Sequence, residues 1–141
     1  MDWEECKESL LAKESKVDKS LVDSLLKTSS DKLKSQDLMR LDDVTASSKI
    51  SLVYDALREL LEALAISKGL KIYNHECYCA FLNELLNEPS LSRKFDNFRK
   101  IRNSINYYGK RISAEEAGSI IEEMLGFIEN LKGKYLSRPS P

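Results

Sequence analysis

The sequence predicts an all-α fold, an antiparallel up-and-down bundle of four main helices with one or two short ones. Apolar residues recur at three- and four-residue spacing along the chain, and no segment alternates with period two. Only five glycines and three prolines punctuate it, and two of those prolines are Pro139 and Pro141. Turn-rich all-β folds use more such punctuation. The connectors between periodic stretches are short, which makes successive helices antiparallel neighbours. With 141 residues, 42% of them hydrophobic and 32% charged, the chain reads as one domain, residues 1–141, able to bury its own core.

Trp3, Cys6 and Leu10 suggest a short first helix, part of an N-terminal extension over residues 1–15. Ser15 to Asp18 breaks the pattern and offers caps. From Asp18 to Met39 the stripe is Val22, Leu26, Ser29 and Leu33, widened by Leu21 and Leu25. Asp42–Thr45 is a polar connector. The strongest helix runs from Ala46 to Lys68, with Val53, Ala56, Leu57, Leu60, Leu61 and Leu64 inward and Gly69 as its C-cap. It has more apolar positions than one bundle face needs, which suggests self-association. Leu70–Tyr73 reads as a loop, and Asn74 caps a helix from His75 to Asn87 carrying Tyr78, Phe81, Leu82 and Leu85. Pro89 ends that region, and Ser90 or Ser92 starts a basic helix striped with Phe95, Phe98, Ile101, Ile105 and Tyr108, closed by Gly109. Ser113 and Glu116 form a capping box for the last helix, which stops at Gly133. Residues 135–141 read as a frayed tail.

Composition and spacing exclude several kinds of chemistry. Cys6, Cys77 and Cys79 are too few for a disulfide scaffold and read as reduced, buried thiols. His75 is the single histidine, so a multi-histidine metal centre is excluded within one chain. His75 and Cys79 share a helical face, but four tetrahedral ligands are not in sight, and no metal or other cofactor is expected. There is no glycine-rich phosphate loop. Glu115, Glu116, Glu122 and Glu123 read as a solvated helix face. No apolar run is long enough to span a membrane, and the acidic start Met1–Glu5 lacks a secretory signal, so a cytoplasmic protein is expected.

Positive charge is concentrated in one place. Between residues 93 and 111, Arg93, Lys94, Arg99, Lys100, Arg102, Lys110 and Arg111 face only Asp96, within a chain of net charge −1. Such a patch suits phosphate binding, or simply a solvated helix face. Arg102 lies on the apolar side of this helix, four residues after Phe98 and three before Ile105. A guanidinium placed there snorkels, pairs with a carboxylate such as Asp55 or Glu59, or lines a cleft. Asn106 is one turn beyond it, and Asn103 and Tyr107 form an adjoining pair. Together they present a cation, two amides and a phenol. His75, at the start of another helix, reads as a residue that fixes the preceding loop or caps the first turn.

Three segments, Tyr54–Leu64, Gly69–Glu76 and Arg99–Gly109, resemble the HEPN superfamily, in particular its stand-alone archaeal-type members. The resemblance spans residues 18 to 132 and is most specific over Arg102–Gly109. It implies a helical bundle that dimerises, with the basic helix near the two-fold axis. It also implies a metal-independent ribonuclease ancestry and a minimal nucleotidyltransferase as partner, in a toxin–antitoxin-like pair. The family signature is an Arg, a polar residue, and a His after four to six intervening residues. Arg102 and Asn103 match its start, but the His positions hold Tyr107, Tyr108 and Gly109. A phenol, with a pKa near about 10, exchanges protons poorly at neutrality, whereas imidazole sits near about 6.5. The expectation is therefore RNA or nucleotide-phosphate binding with weak or absent cleavage. Arg102 and Tyr107 stand at the catalytic positions, and Asn103, Asn106, Tyr108, Arg99 and Lys100 are flanking binding residues. An active ribonuclease and a non-catalytic protein-interaction module are the alternatives.

Overall fold

The computed structural model describes residues 1–136, which are mostly helical. In chain order the elements are α1 (Trp3–Glu8), β1 (Ala12–Glu14), α2 (Lys19–Leu38), α3 (Ala46–Ser67), β2 (Leu70–Ile72), α4 (His75–Ala80), α5 (Pro89–Tyr108) and α6 (Ala114–Leu131). A π-helical turn, Phe81–Leu85, prolongs α4, and another, Lys132–Leu136, prolongs α6.

Helix α3 is the axis of the molecule. It packs against α2, α5, α6 and β2. Its buried residues run from Ala46 through Ile50, Val53, Tyr54, Leu57, Leu60, Leu61 and Leu64 to Ile66. With Ala56, Glu59, Ala63 and Ala65 also buried, most of the circumference of α3 is covered within one chain, and Asp55, Arg58 and Glu62 mark its partly exposed side. Ser29 of α2 is fully buried against it and donates to the Ala56 carbonyl at 2.9 Å. The Lys49 ammonium donates to the carbonyls of Gln36 and Met39 at 2.6 and 2.7 Å, satisfying the C-terminal end of α2. Aromatic rings join α3 to its neighbours. Tyr54 stacks on Phe95 with centroids 5.8 Å apart, and Tyr78 meets Phe95 edge-on at 6.2 Å.

Locally encoded ends agree with the sequence. Asn74 Oδ1 accepts from the amides of Glu76 and Cys77, Ser113 Oγ accepts from the Glu116 amide, and Gly109 closes α5 at φ 62°. Other expectations need correction. Helix α1 stops at Glu8, and Leu10 sits at φ 59° and is exposed, so it belongs to no helical stripe. Pro89 does not end a helix but opens α5, where its missing amide hydrogen is no loss. Gly133 lies inside the π-helical turn that continues α6. Tyr135 and Leu136 pack against the core, so the frayed tail does not begin at 135; Ser137–Pro141 lie outside the described residues.

Two corrections bear on the site. Leu70–Ile72 is a strand, paired antiparallel with Ala12–Glu14 in the register Ala12 to Ile72 and Glu14 to Leu70. Cys6 and Cys77 are not reduced thiols but a disulfide, with Cα atoms 5.9 Å apart and both residues fully buried. Only Cys79 is free. The N-terminal extension is therefore a buttress. It pairs with β2, it is bonded to α4, and the Trp3 amide donates to Glu84 at 2.7 Å.

Candidate functional site

The basic helix α5 lays Arg99, Arg102, Asn103 and Tyr107 along one face, at spacings of three and four residues. Opposite them, β2 delivers Tyr73, Asn74, His75 and Glu76 at the start of α4. Between the two lies a mainly polar cleft of about 350 Å³ lined by these eight residues. The Tyr73 amide donates to the Leu11 carbonyl at 2.8 Å, and the Asn74 cap fixes the first turn of α4. The α4 wall is thus held by the strand pair, the cap and the disulfide together.

Arg102 is the centre of the cleft. Its Nη2 lies 3.6 Å from Asp55 Oδ1, so the aspartate foreseen as one of two pairing partners is the one present. Glu59, the other, faces α2 instead, where it pairs with Lys32 and accepts from the Thr28 hydroxyl. The Arg102 guanidinium also lies over the Tyr54 ring, with Cζ 5.5 Å from the centroid. It makes no hydrogen bond to any described residue, and its Nε is buried without an acceptor. Arg102 is therefore ion-paired but not saturated.

The other cations are better matched. Arg99 donates through Nε and Nη2 to Asp96, at 3.1 and 2.7 Å, and lies 4.0 Å from Glu76. Lys100 pairs with the second oxygen of Asp96 at 3.1 Å. Against the penalty of its own desolvation, these two cations hold the Asp96 carboxyl below the usual carboxylate range. Arg58 pairs with Glu62 at 3.0 Å. Most of the positive charge of residues 93–111 thus lies elsewhere or is neutralised within the chain, and Arg102 is left with unused donors.

The cleft brings together four of the residues predicted from sequence: Arg102, Asn103, Tyr107 and Arg99. Lys100, Asn106 and Tyr108 are outside its lining. Sequence reasoning missed Tyr73, assigned Asn74 to a cap, and favoured a local role for His75 over a catalytic one across a dimer. His75 caps no turn; its Nδ1 lies 2.9 Å from the Tyr54 hydroxyl. Burial, followed by the nearby guanidinium groups of Arg58, Arg102 and Arg99, holds its pKa below the ordinary imidazole value. Burial also pushes the Tyr54 phenol up, which keeps it protonated. Cys79, turned toward Asp96, is raised to about 11, first by burial and then by that carboxylate, so it is a neutral thiol at pH 7. Among the described residues no group of three His, Cys, Asp or Glu side chains is placed to hold a metal ion. No helix among them is long and apolar enough to cross a membrane.

Comparison with protein-family models, curated proteins and solved structures gives no match.

Proposed function

We infer that the cleft between α4 and α5 binds a phosphate group of RNA or of a nucleotide, with Arg102 as its principal cation. One observation carries this reading: the Arg102 guanidinium lines an open polar cleft with an ion-pair partner but no hydrogen bond among the described residues. A purely structural arginine ordinarily has its donors satisfied. Asn103 and Asn74 supply amide groups, and the exposed rings of Tyr73 and Tyr107 offer faces on which an unpaired base can stack. The resemblance to HEPN proteins supports the same assignment and extends it. On that reading α2, α3, α5 and α6 are the antiparallel up-and-down bundle, two copies associate through the basic helix, and a minimal nucleotidyltransferase is the partner of a cytoplasmic pair. A disulfide is unusual in a reducing cytoplasm, and full burial of both cysteines is what would protect it there.

Metal-independent RNA cleavage is the second reading. It draws on His75, which brings to the cleft of Arg102 the imidazole missing from the basic helix.

The deciding experiment is Arg102→Ala, measured for RNA binding across a salt series and for stability in urea. A phosphate ligand lost from the cleft lowers RNA affinity by tenfold or more, with little change in the unfolding midpoint. Unchanged affinity, or a stability loss well beyond the ~1 kcal/mol of a partly exposed ion pair, would make Arg102 structural. RNA incubated with wild-type protein and a chelator tests the second reading, which requires products ending in a cyclic phosphate.

A further inference from the structure

His75 touches two things at once. Its ring lines the cleft beside Arg102, and its Nδ1 lies 2.9 Å from the hydroxyl of Tyr54. Tyr54 is fully buried, between the Phe95 ring and the Arg102 guanidinium. Its hydroxyl has no other hydrogen-bond partner among the described residues. A phenol carries one hydrogen, and burying that donor without an acceptor is costly. Among the described residues the only acceptor within reach is His75 Nδ1. The hydroxyl therefore donates, Nδ1 accepts through its lone pair, and the proton of the neutral ring is on Nε2. The opposite arrangement, Nδ1–H donating to the phenol oxygen, would strand the buried O–H.

We propose that Tyr54 fixes His75 as the Nε2–H tautomer, so that the imidazole serves the cleft as a neutral hydrogen-bond donor to phosphate and not as a proton acceptor. This rests on the reading of the cleft as a phosphate site. It has a chemical consequence, because a general base needs a free lone pair, and with Nδ1 committed to Tyr54 the one nitrogen left for a substrate, Nε2, carries the hydrogen. Protonation to imidazolium would put a hydrogen on Nδ1, reverse the bond and strand the buried Tyr54 O–H. It is opposed as well by Arg58 of α3 and by Arg99 and Arg102 of α5, while Asp55 of α3 acts in the other direction and the Glu76 carboxylate of α4 lines the same cleft. The cleft is thus arranged to hold a phosphate rather than to cleave beside it.

His75 is the chain's only histidine, so histidine labelled with nitrogen-15 gives one pair of ring signals. The expected spectrum of the free protein at pH 8 shows a protonated Nε2 and an unprotonated Nδ1, with protonation of the ring displaced below the ordinary imidazole value. Tyr54→Phe should free the neutral ring to populate both tautomers, while burial and the guanidinium groups of Arg58, Arg102 and Arg99 still hold its pKa below the ordinary imidazole value. Adenosine 5′-monophosphate should shift the Nε2 signal of the wild-type protein on binding. His75→Gln, which keeps a neutral N–H donor, should retain affinity for this probe within about threefold, and His75→Ala should lose about tenfold. An Nδ1–H tautomer in the free wild-type protein would overturn the tautomer assignment. A probe that saturates the protein through Arg102 without moving Nε2 would overturn the donor role. If neither the probe nor RNA binds the wild-type protein, the phosphate reading fails and the donor role with it, while the tautomer is decided separately on the free protein.

Discussion

At the scale of single residues, the proposed phosphate site would set up a competition for one guanidinium. Asp55 Oδ1 stands 3.6 Å from Arg102 Nη2, within Coulombic reach but with no hydrogen bond formed. A phosphate entering the cleft offers more acceptors and a higher charge, and it has to displace part of that attraction. Asp55→Asn removes the charge and preserves the shape. The pair is partly exposed, which limits its worth to about 1 kcal/mol, so RNA affinity should rise about fivefold. Fluorescence anisotropy at low and moderate salt measures this. A fall in affinity would mean that Asp55 positions Arg102 more than it competes for it. Neither partner carries its meaning alone in the sequence. Arg102 was conspicuous because a cation on an apolar stripe demands an explanation. His75 was not, because one histidine after a capping Asn fits a local role as well, and only the fold brings it to Tyr54 and the basic helix.

At the scale of elements, the α4 wall depends on how the chain leaves α3. Gly69 follows that helix at φ +77°, and a Cβ there would approach the Ser15 carbonyl oxygen to 3.1 Å. The same carbonyl region is tied down by the Ser15 amide, which donates to Gly69 O at 2.8 Å. Gly109 at φ +62° ends α5 with open space around it. Both glycines are in the left-handed region, but only the first is also hemmed in. Gly109→Ala should therefore cost about 1 kcal/mol, the penalty for a side chain in that conformation, and Gly69→Ala should cost more, about 2 kcal/mol. Urea midpoints of the two variants give the comparison, and equal losses would show that the β1 contact yields freely. The glycines, the Asn74 cap and the Ser113 cap were legible because each is encoded within a few residues. The strand pair was not, since three-residue strands lack a readable alternation and these two, Ala12–Glu14 and Leu70–Ile72, meet only after α2 and α3 have folded back.

At the scale of the whole molecule, the fold is a central helix wrapped by three long ones, with one wall of its cleft braced from the N-terminus. The disulfide between Cys6 and Cys77 closes 71 residues of sequence separation, enclosing β1, α2, α3 and β2. Such a pairing is invisible to spacing rules, because nothing in the sequence near either cysteine specifies the other. Its effect on stability follows from the loop it closes. In the chain-entropy account a loop of this size restricts the unfolded ensemble by about 4 kcal/mol, and removal of native bridges ordinarily costs about 2–5 kcal/mol. Both cysteines are fully buried, so a Cys6→Ala and Cys77→Ala double variant adds the smaller loss of two sulfur atoms from the core. The double variant and the reduced wild-type protein should both unfold at lower urea concentration, by an amount corresponding to about 4 kcal/mol. The cleft's own polar groups are untouched by either change, so RNA binding should persist in whatever fraction remains folded. If reduction leaves the urea midpoint unchanged, α1 and α4 are held together by the Trp3–Phe81 ring contact and the Trp3–Glu84 hydrogen bond, and the bridge is not what braces the cleft.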